Sequence, residues 1–362
     1  MSSKRIPWLA LGIALLLAAC RRDPDLPGPV PRSDHFDGHH FFNPDGDQGT
    51  GGEQKKSSLR MLHDLFFPPD HSWPKIKVIP TVPDRQIEGQ AMRVTWIGHA
   101  TVLIQTQGLN ILTDPVWDKR SSPVNFAGIR RVRKPGVRFE DLPHIDLVLV
   151  SHDHYDHFDE HFLRHLSQRD HPLIVAGLGM DRLMAYYGIQ GVVARDWGQS
   201  VEVRPGIKVI LDRAHHWSAH RFDKHDLTLW TGFTVTLPGG NLYYAGDTGP
   251  GDMRWAPEAA KAGPVRMALL PIGAYHFTRV QSGNHIGPDD AVHAFQQLHA
   301  SYALGVHWGT FELTDEGINE PPDHLRRALA AAHIAPDRFR VTEVGQGWDI
   351  PPMTADAARS SR

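Results

Sequence analysis

From Met92 onward, the chain consists of short apolar runs separated by polar turns. The first runs follow one another with glycine at the turns, which predicts a β-meander over residues 92–114. The mainly apolar run Ile145–Val150 predicts a buried strand. Apolar residues at helical spacing follow Asp159, a residue that can cap the first turn of a helix. This part of the chain therefore predicts strands in series, and then strands alternating with helices.

The second half of the chain repeats this rhythm. A predicted helix over Met180–Tyr187 ends at Gly188, and three predicted strands follow it. The runs Phe233–Leu237 and Asn241–Ala245 predict a hairpin across a Pro-Gly-Gly turn, and Pro288 opens a helix with two acids near its positive end. The remaining predicted elements are a strand over Leu304–Val306, a helix over Asp323–Ala332 and a strand near Val341.

The N-terminal segment has the composition of a secretory signal. Lys4 and Arg5 precede an apolar stretch that is too short for a membrane span, and Leu17-Ala-Ala-Cys20 ends it. Cys20 is the only cysteine, so it has no internal disulfide partner. These four residues resemble a bacterial lipobox, in which cleavage leaves a lipidated cysteine. We therefore expect a signal peptide over residues 1–19 and a protein anchored by Cys20 to a membrane of the bacterial envelope, facing the periplasm.

Composition places the rest of the chain among globular proteins. It has 362 residues, 41% hydrophobic and 22% charged, and this length can bury a sizeable core. The net charge of -3 gives no general attraction to nucleic acid. Residues 20–58 predict a tether whose Phe-rich patch, Phe36–Asn43, docks onto the body. Residues 59–352 form the predicted globular domain, which opens with a short helix at Leu59–Phe66, and residues 353–362 form a frayed tail.

Two further polar features have solvent-exposed interpretations. His39 and His40 lie in the predicted tether, where adjacent histidines are expected to face solvent. The basic run Arg130–Arg138 surrounds Pro135 and Gly136. It is interpreted as a solvated loop, with attraction to an anionic headgroup as the alternative.

The polar run His152-Asp-His-Tyr-Asp-His157, introduced by Ser151, directly follows the predicted strand Ile145–Val150. It brings three imidazoles and the carboxylate of Asp156 to one strand end. Imidazole and carboxylate are ligands that suit zinc and neighbouring transition metals. The alternative is a histidine-rich surface loop in a chain that contains 24 histidines. If the run binds metal, the other ligands must come from elsewhere in the chain.

Further metal-type ligands follow other predicted strands. His215 and His216 end one, Asp247 ends the second strand of the hairpin, and His307 ends a late strand. Seven ligands suit two metal ions with a shared carboxylate and a bridging water or hydroxide, whose pKa falls toward neutrality. His99 and Asp114 also lie at strand ends, but a satisfied core histidine and a turn residue explain them equally well.

With Gly246-Asp247-Thr248-Gly249 and His307, the His152 run resembles the metallo-β-lactamase superfamily. Within that superfamily, further segments resemble the phospholipases D that hydrolyse N-acylphosphatidylethanolamine. The similarity spans roughly Phe36 to Leu325. The segments that carry it are Trp96–Val102, Leu112–Pro115, Ala214–Trp217, Pro271–Tyr275, His307–Phe311 and Glu320–Pro322.

The resemblance implies a fold, a ligand set and a cofactor. The fold is an αββα sandwich of two mixed β-sheets flanked by helices. The cofactor is a pair of zinc ions with a bridging hydroxide, and Asp247 is the shared ligand. His216 is favoured over His215 because it directly precedes Trp217; spacing alone does not separate them. The implied ligands are His152, His154 and His216 for one ion, and Asp156, His157 and His307 for the other.

The implied activity is hydrolysis of the phosphodiester bond of N-acylphosphatidylethanolamine or a related phospholipid. Asp156 and His285 are the side chains expected to act in catalysis. His285 matches a family histidine near the substrate, with phosphate binding, protonation of the leaving group and a structural role as its possible functions. Two alternatives to this activity stay open. One is a lactonase or esterase with the same centre, and the other is a non-catalytic zinc-binding lipoprotein.

Overall fold

The computed structural model describes residues 32–46, 73–124, 126–220, 225–276 and 283–353. Cys20, the predicted signal peptide, the predicted helix Leu59–Phe66 and the residues after Met353 lie outside these ranges. None of the described helices has the length and apolar character that crossing a membrane requires.

Two seven-stranded sheets organise the described residues. In spatial order, the first sheet contains β16 (Gly347–Asp349), β1 (Met92–Gly98), β2 (Thr101–Thr106), β3 (Leu109–Thr113), β6 (Leu147–Val150), β7 (Leu173–Gly177) and β8 (Val192–Arg195). The second contains β15 (Phe339–Arg340), β14 (Tyr302–Val306), β13 (Val265–Pro271), β12 (Asn241–Tyr244), β11 (Gly232–Val235), β10 (Ile207–Asp212) and β9 (Ser200–Arg204). A short ribbon, β4 (Arg120–Ser121) and β5 (Ile129–Arg130), lies outside both sheets.

Both sheets are mixed in the same way. In the first, β16, β1, β2 and β3 pair antiparallel, and β3, β6, β7 and β8 pair parallel. In the second, β9 to β12 pair antiparallel and β12 to β15 pair parallel. The parallel strands of each sheet therefore point their carboxyl ends to one edge.

Helices cover the outer faces of the sheets. The described helices are α1 (Glu160–Asp170), α2 (Met180–Tyr186), α3 (Trp255–Ala260), α4 (Pro288–Gln297) and α5 (Glu320–Ala331). The side chain of Asp159 accepts a hydrogen bond from Phe162 N and caps α1, as predicted. Helix α5 begins at Glu320, before the predicted Asp323, because Pro321 and Pro322 are tolerated in a first turn.

Alternation along the strands separates two apolar layers. Val94, Trp96 and Leu149 of the first sheet face Phe233 and Leu269 of the second, and they form the core between the sheets. On the other face of the first sheet, alternate residues pack against α1 and α2. This outer layer includes Leu112, Val148, Val150, Phe162, Leu166 and Met184. Successive residues of a strand point to opposite faces, so sheets covered on both sides have nearly continuous apolar strands. The structure confirms the predicted sandwich of two mixed sheets flanked by helices.

The described part of the N-terminal segment lies against the body. Phe41 is buried with Leu178, Leu229 and Trp230, and the ring of His35 stacks on Trp197 with 4.0 Å between centroids. This segment therefore reaches the turn before β9 and the loop that follows β10.

The interpretation of the basic run as a solvated loop is wrong for two of its members. Arg131 donates to the carbonyls of Val116 and Asp118, and its guanidinium lies 4.7 Å from the centre of the Phe311 ring. Arg133 is buried and lies 4.9 Å from the Trp308 ring. The aromatic partners come from the loop after β14, about 180 residues along the chain, so local sequence gives no sign of them.

One buried acid of the second sheet, Asp212, has a pKa well above its usual value. Asp212 ends β10, is 8% exposed, and accepts a hydrogen bond from Thr234 Oγ1 at 2.6 Å. Burial raises its pKa from 3.8 to about 7. The folded protein therefore keeps a proton that the unfolded chain has lost between about pH 4 and pH 7, so stability falls as pH rises through this window.

The substitution Asp212→Asn removes this titration and keeps an acceptor for Thr234. Relative to wild type, its free energy of unfolding should rise by about 3 kcal/mol between pH 5 and pH 8. Denaturant unfolding at the two pH values measures the difference. Asp337→Asn, which removes an exposed aspartate, is the control for loss of one negative charge. A gap between Asp212→Asn and wild type that is the same at both pH values would contradict the prediction.

Candidate metal centre

The histidines and aspartates singled out from the sequence lie together where strand ends of the two sheets meet. The first sheet contributes the loops after β1, β3 and β6. The second contributes those after β10, β12 and β14, and His285 comes from the residues just before α4. All seven predicted ligands belong to this cluster, which we call the metal centre. Its described members are His99, Asp114, His152, His154, Asp156, His157, His216, Asp247, His285 and His307.

Three ring nitrogens converge on one side of the metal centre. His154 Nδ1 lies 2.8 Å from His152 Nε2 and 3.3 Å from His216 Nε2. The opposite nitrogens of two of these rings have other partners, since His152 Nδ1 lies 2.9 Å from Ser151 Oγ and His216 Nδ1 donates to the carbonyl of Asn284 at 2.8 Å. These contacts place the proton on Nδ1 and leave the Nε2 lone pairs facing the centre.

A second group lies beside the first. The ligand atoms of His99, Asp156, His157 and His307 are within 4.8 Å of one another. Asp156 Oδ2 lies 3.6 Å from both His157 Nε2 and His307 Nε2, and 2.9 Å from His99 Nε2. His99 therefore holds the carboxylate that the other two rings face.

Asp247 lies between the two groups. Its Oδ2 is 3.1 Å from His157 Nε2, 3.0 Å from His307 Nε2 and 3.9 Å from His216 Nε2. The first two contacts are close but lie outside hydrogen-bond geometry, and both ring nitrogens, like Asp247 Oδ1, are buried without a hydrogen-bond partner among the described residues. Buried polar atoms are rarely left in this state. Ring nitrogens and carboxylate oxygens that converge without hydrogen-bond partners fit a bound cation.

The charges in the metal centre are consistent with such a cation. Burial would raise the pKa of Asp247, but His157 and His307 outweigh it and hold this pKa well below its usual range. Burial lowers the pKa of His154 to about 3, and that of His152 and His216 well below the usual value. These three rings are therefore neutral, as metal ligation requires.

The pKa values of His157 and His307 shift in the opposite direction, upward. Burial would lower the pKa of His307, but the negative charges of Asp247 and Asp156 raise it to about 9. The same two carboxylates raise the pKa of His157 well above its usual value against the effect of burial. Protons on these rings balance the buried carboxylates, in the place that a bound cation would take.

Asp114 supports the metal centre from behind. Its Oδ2 accepts from His157 Nδ1 at 2.6 Å, from Tyr244 Oη at 2.5 Å and from Ser151 Oγ at 2.5 Å, and its Oδ1 accepts from Ser151 N. A carboxylate in this position fixes the tautomer and orientation of a ligand histidine. The sequence alone left Asp114 as a possible turn residue, and the structure gives it this supporting contact.

The backbone of the metal centre is strained. His99, Asp114 and His307 have φ of 55°, 29° and 62°, in the left-handed region that most residues avoid. A backbone hydrogen bond from His307 N to His99 O joins the two sheets at this point. Gly246, with φ of 63°, precedes Asp247, and a Cβ there would come within 2.7 Å of Ser151 Cβ. Only glycine allows this close turn into the centre.

The neighbouring histidines 215 and 216 point to different places. His216 Nε2 faces the metal centre, whereas His215 Nδ1 lies 2.9 Å from Asp45 Oδ2 in the N-terminal segment. Spacing did not separate the two rings, and the partner of His215, Asp45, was linked to this site by no sequence pattern.

One side of the metal centre is accessible to solvent. His152, His157, His216 and His307 are buried, but His154 and His285 are partly exposed. Trp217 is partly exposed beside His154, with 4.3 Å between the ring centres. His285 Nδ1 lies 3.7 Å from Asp247 Oδ2. His285 therefore lies at the rim of the centre, where a substrate would approach.

The part of the chain that carries these residues is similar to known proteins. A family model described as the beta-lactamase superfamily domain matches residues 109–308, which contain all seven predicted ligands. The chain is 36% identical over 267 residues to N-acyl-phosphatidylethanolamine-hydrolyzing phospholipase D 1 of Caenorhabditis elegans, covering 70% of this chain and 75% of that protein. It is 28% identical over 246 residues to a metal-dependent hydrolase of Pyrobaculum islandicum, covering 67% and 94% of the two chains.

The solved structures include a metallo hydrolase from the archaeon Ignicoccus hospitalis. It superposes with a TM-score of 0.55 at 22% identity, and the match covers 72% of this chain and 99% of that chain. At this level of identity, the similarity shows the fold alone.

The contrast between His215 and His216 gives a paired test of the metal centre. His216→Ala should remove one of the converging nitrogens and reduce the bound zinc per chain, because the neighbouring rings cannot replace a third ligand. His215→Ala should keep the wild-type zinc content, since that ring faces Asp45. Atomic spectrometry of the dialysed proteins measures the zinc content of each variant. Equal loss in both variants would contradict the assignment of His216.

Proposed function

The chain belongs to the beta-lactamase superfamily and is a metal-dependent hydrolase, and we propose that it hydrolyses the phosphodiester bond of a membrane phospholipid, as a phospholipase D does. The observation that carries the metal-dependent hydrolysis in this proposal is the convergence of imidazoles and carboxylates from both sheets on one accessible edge. A set of nitrogen and oxygen ligands without thiolates suits zinc. We propose two zinc ions.

In this proposal, each ion has its own ligands and the two share one carboxylate. His152, His154 and His216 would hold one ion, and Asp156, His157 and His307 would hold the other. Asp247 serves both, because its Oδ2 lies within 4 Å of ring nitrogens from each group. When bound, such a pair of ions lowers the pKa of a water molecule toward neutrality and stabilises negative charge on phosphoryl oxygens.

The side chains around the ligands keep them in place for this chemistry. His99 Nε2 holds Asp156, and Asp114 holds His157, so neither ligand can rotate away without breaking a buried hydrogen bond. The ring of His285 lies at the rim, with its centre 5.1 Å from that of His216 and 5.3 Å from that of His307. We assign His285 to binding a phosphoryl oxygen of the substrate, where an N–H donor orients the diester.

The choice of a phospholipid rests on similarity and on location. The Caenorhabditis elegans relative is an enzyme that hydrolyses N-acyl-phosphatidylethanolamine, and it shares 36% of aligned residues. Lipidation of Cys20 would hold the metal centre beside a membrane. N-acylphosphatidylethanolamine or a related phospholipid is therefore the proposed substrate, and the bacterial envelope the proposed location.

The two alternatives make different predictions about the same centre. A lactonase or esterase would use the same ligands, because paired metals activate water toward many electrophiles. A zinc-storing lipoprotein predicts closed coordination, which the partly exposed rings of His154 and His285 do not favour.

Loss of a ligand tests whether hydrolysis depends on the metal centre. His154→Ala and Asp247→Ala should each lower zinc content and reduce diesterase turnover by more than about 100-fold, the upper range for loss of a residue that only supports a ligand. His165→Ala, which removes an exposed histidine from α1, should retain both. Unchanged turnover in metal-depleted wild-type protein would contradict the dependence of hydrolysis on the metal centre.

Hydrolysis in ¹⁸O-labelled water separates the candidate activities. With vesicles of N-acylphosphatidylethanolamine, attack at phosphorus should release the N-acylethanolamine and place the label in the phosphate of phosphatidic acid. An esterase would place it in a fatty acid carboxylate, and a lactonase would act on lactones and leave the vesicles intact. Mass spectrometry of the products reads the position of the label. Vesicles of phosphatidylethanolamine, phosphatidylcholine and phosphatidylglycerol, tested in parallel, define the headgroup preference, with Asp247→Ala as the inactive control.

A further inference from the structure

A side chain from the N-terminal segment contacts the backbone of a predicted metal ligand. Asn43 Nδ2 donates to the carbonyl of His216 at 2.8 Å, and the His216 N–H donates to Asn43 Oδ1 at 3.3 Å. The same Oδ1 accepts from Trp230 Nε1 at 3.1 Å. Asn43 is 6% exposed. The buried side-chain amide of Asn43 thus pairs with both the backbone N–H and the backbone carbonyl of His216, which lies 173 positions away.

This contact matters because His216 lies in a buried irregular loop. It follows β10, which ends at Asp212, so the sheet does not pair its N–H and carbonyl groups. A buried backbone group without a partner costs as much as a lost hydrogen bond. Asn43 supplies both partners, and the Asn284 carbonyl fixes the ring through Nδ1. Backbone and ring are therefore fixed by two separate segments of the chain.

The neighbouring residues of the N-terminal segment strengthen the attachment. Asp45 Oδ1 lies 2.9 Å from Arg213 Nη2, and Asp45 Oδ2 accepts from the backbone N–H of Asp252 at 2.9 Å and faces His215. Asp45 thus joins the loop after β10 to the loop after β12 that carries Asp247. The N-terminal segment therefore contacts both the loop that carries His216 and the loop that carries Asp247.

We propose that Asn43 is a positioning residue of the metal centre. By pairing with the backbone of His216, it sets the position from which His216 Nε2 meets His152 and His154. The position of one predicted metal ligand then depends on a segment that precedes β1, the first strand of the sandwich. This inference rests on ligation of a metal by His216, as in the proposed function, and does not depend on the substrate.

The test compares metal release from full-length, zinc-loaded protein. Asn43→Ala removes both pairings. Asn43→Asp keeps the acceptor for His216 N–H and Trp230 but loses the donor to the His216 carbonyl, and it serves where Asn43→Ala does not fold. Both variants should release one of the two zinc ions to a chromogenic chelator about 10 to 100 times faster than wild type. The second ion should leave at the wild-type rate.

The matched control is His35→Ala, which weakens docking of the same segment through a residue without a described contact to His216. His35 contacts Asp196 and Trp197. This variant should lower the melting temperature of the metal-free protein without changing zinc release, a separation that a merely structural role of Asn43 would not produce.

The outcomes separate this inference from the proposed function. Zinc release at the wild-type rate from Asn43→Ala or Asn43→Asp would overturn the inference about Asn43 and would leave the proposed function in place. Equal acceleration in His35→Ala would also overturn it, because docking of the whole segment would then be the cause. A wild-type protein that binds no zinc would overturn both.

Discussion

The burial of two carboxylates, Asp156 and Asp247, is the constraint on which the rest of this structure depends. Moving a carboxylate out of water costs several kcal/mol unless charges and hydrogen-bond donors surround it. Here the surrounding groups are imidazoles, with His157 and His307 close to both carboxylates and His99 bonded to Asp156. These rings come from the loops after β6, β14 and β1, so the carboxylates can be buried only when both sheets are stacked in this register.

The scaffold around the metal centre keeps strained loops in one conformation. Three residues of the centre, His99, Asp114 and His307, adopt left-handed backbone angles. Such strain persists only where the surroundings determine the conformation. Trp96 and Trp308 stack beneath these loops with 4.9 Å between ring centres, and Trp96 Nε1 donates to the carbonyl of His99. Rigid strand ends and buried aromatic rings therefore hold the ligands more firmly than free loops would.

The metal centre is also connected to segments outside the two sheets. Asp45 orients His215 away from the centre, and Asn43 pairs with the peptide of His216. The described N-terminal segment therefore contacts both neighbouring histidines of the loop after β10.

The order of elements and the candidate ligands could be predicted from the sequence. Strand-length apolar runs predicted most of the two sheets, and the His152 run, His216, Asp247 and His307, which carry the family resemblance, were the candidate ligands that the structure brings together. Short edge strands such as β16 escaped prediction, since three residues carry too little periodicity. The start of α5 also differed from the prediction, because Pro321 and Pro322 are tolerated in its first turn. The late strand β15 ends at Arg340, just before the predicted Val341.

Tertiary structure alone decided which polar residues serve the metal centre and which serve the fold. His215 and His216 are identical in type and adjacent, and their contacts separate them: His215 faces Asp45, whereas His216 faces His154 and the Asn284 carbonyl. His99 and Asp114 were ambiguous until Asp156 and His157 lay beside them, and Arg131 and Arg133 were assigned to solvent until Phe311 and Trp308 covered them. In each case the deciding partner is distant along the chain. A sequence shows which groups can ionise or ligate, but burial and pairing exist only after the chain has folded.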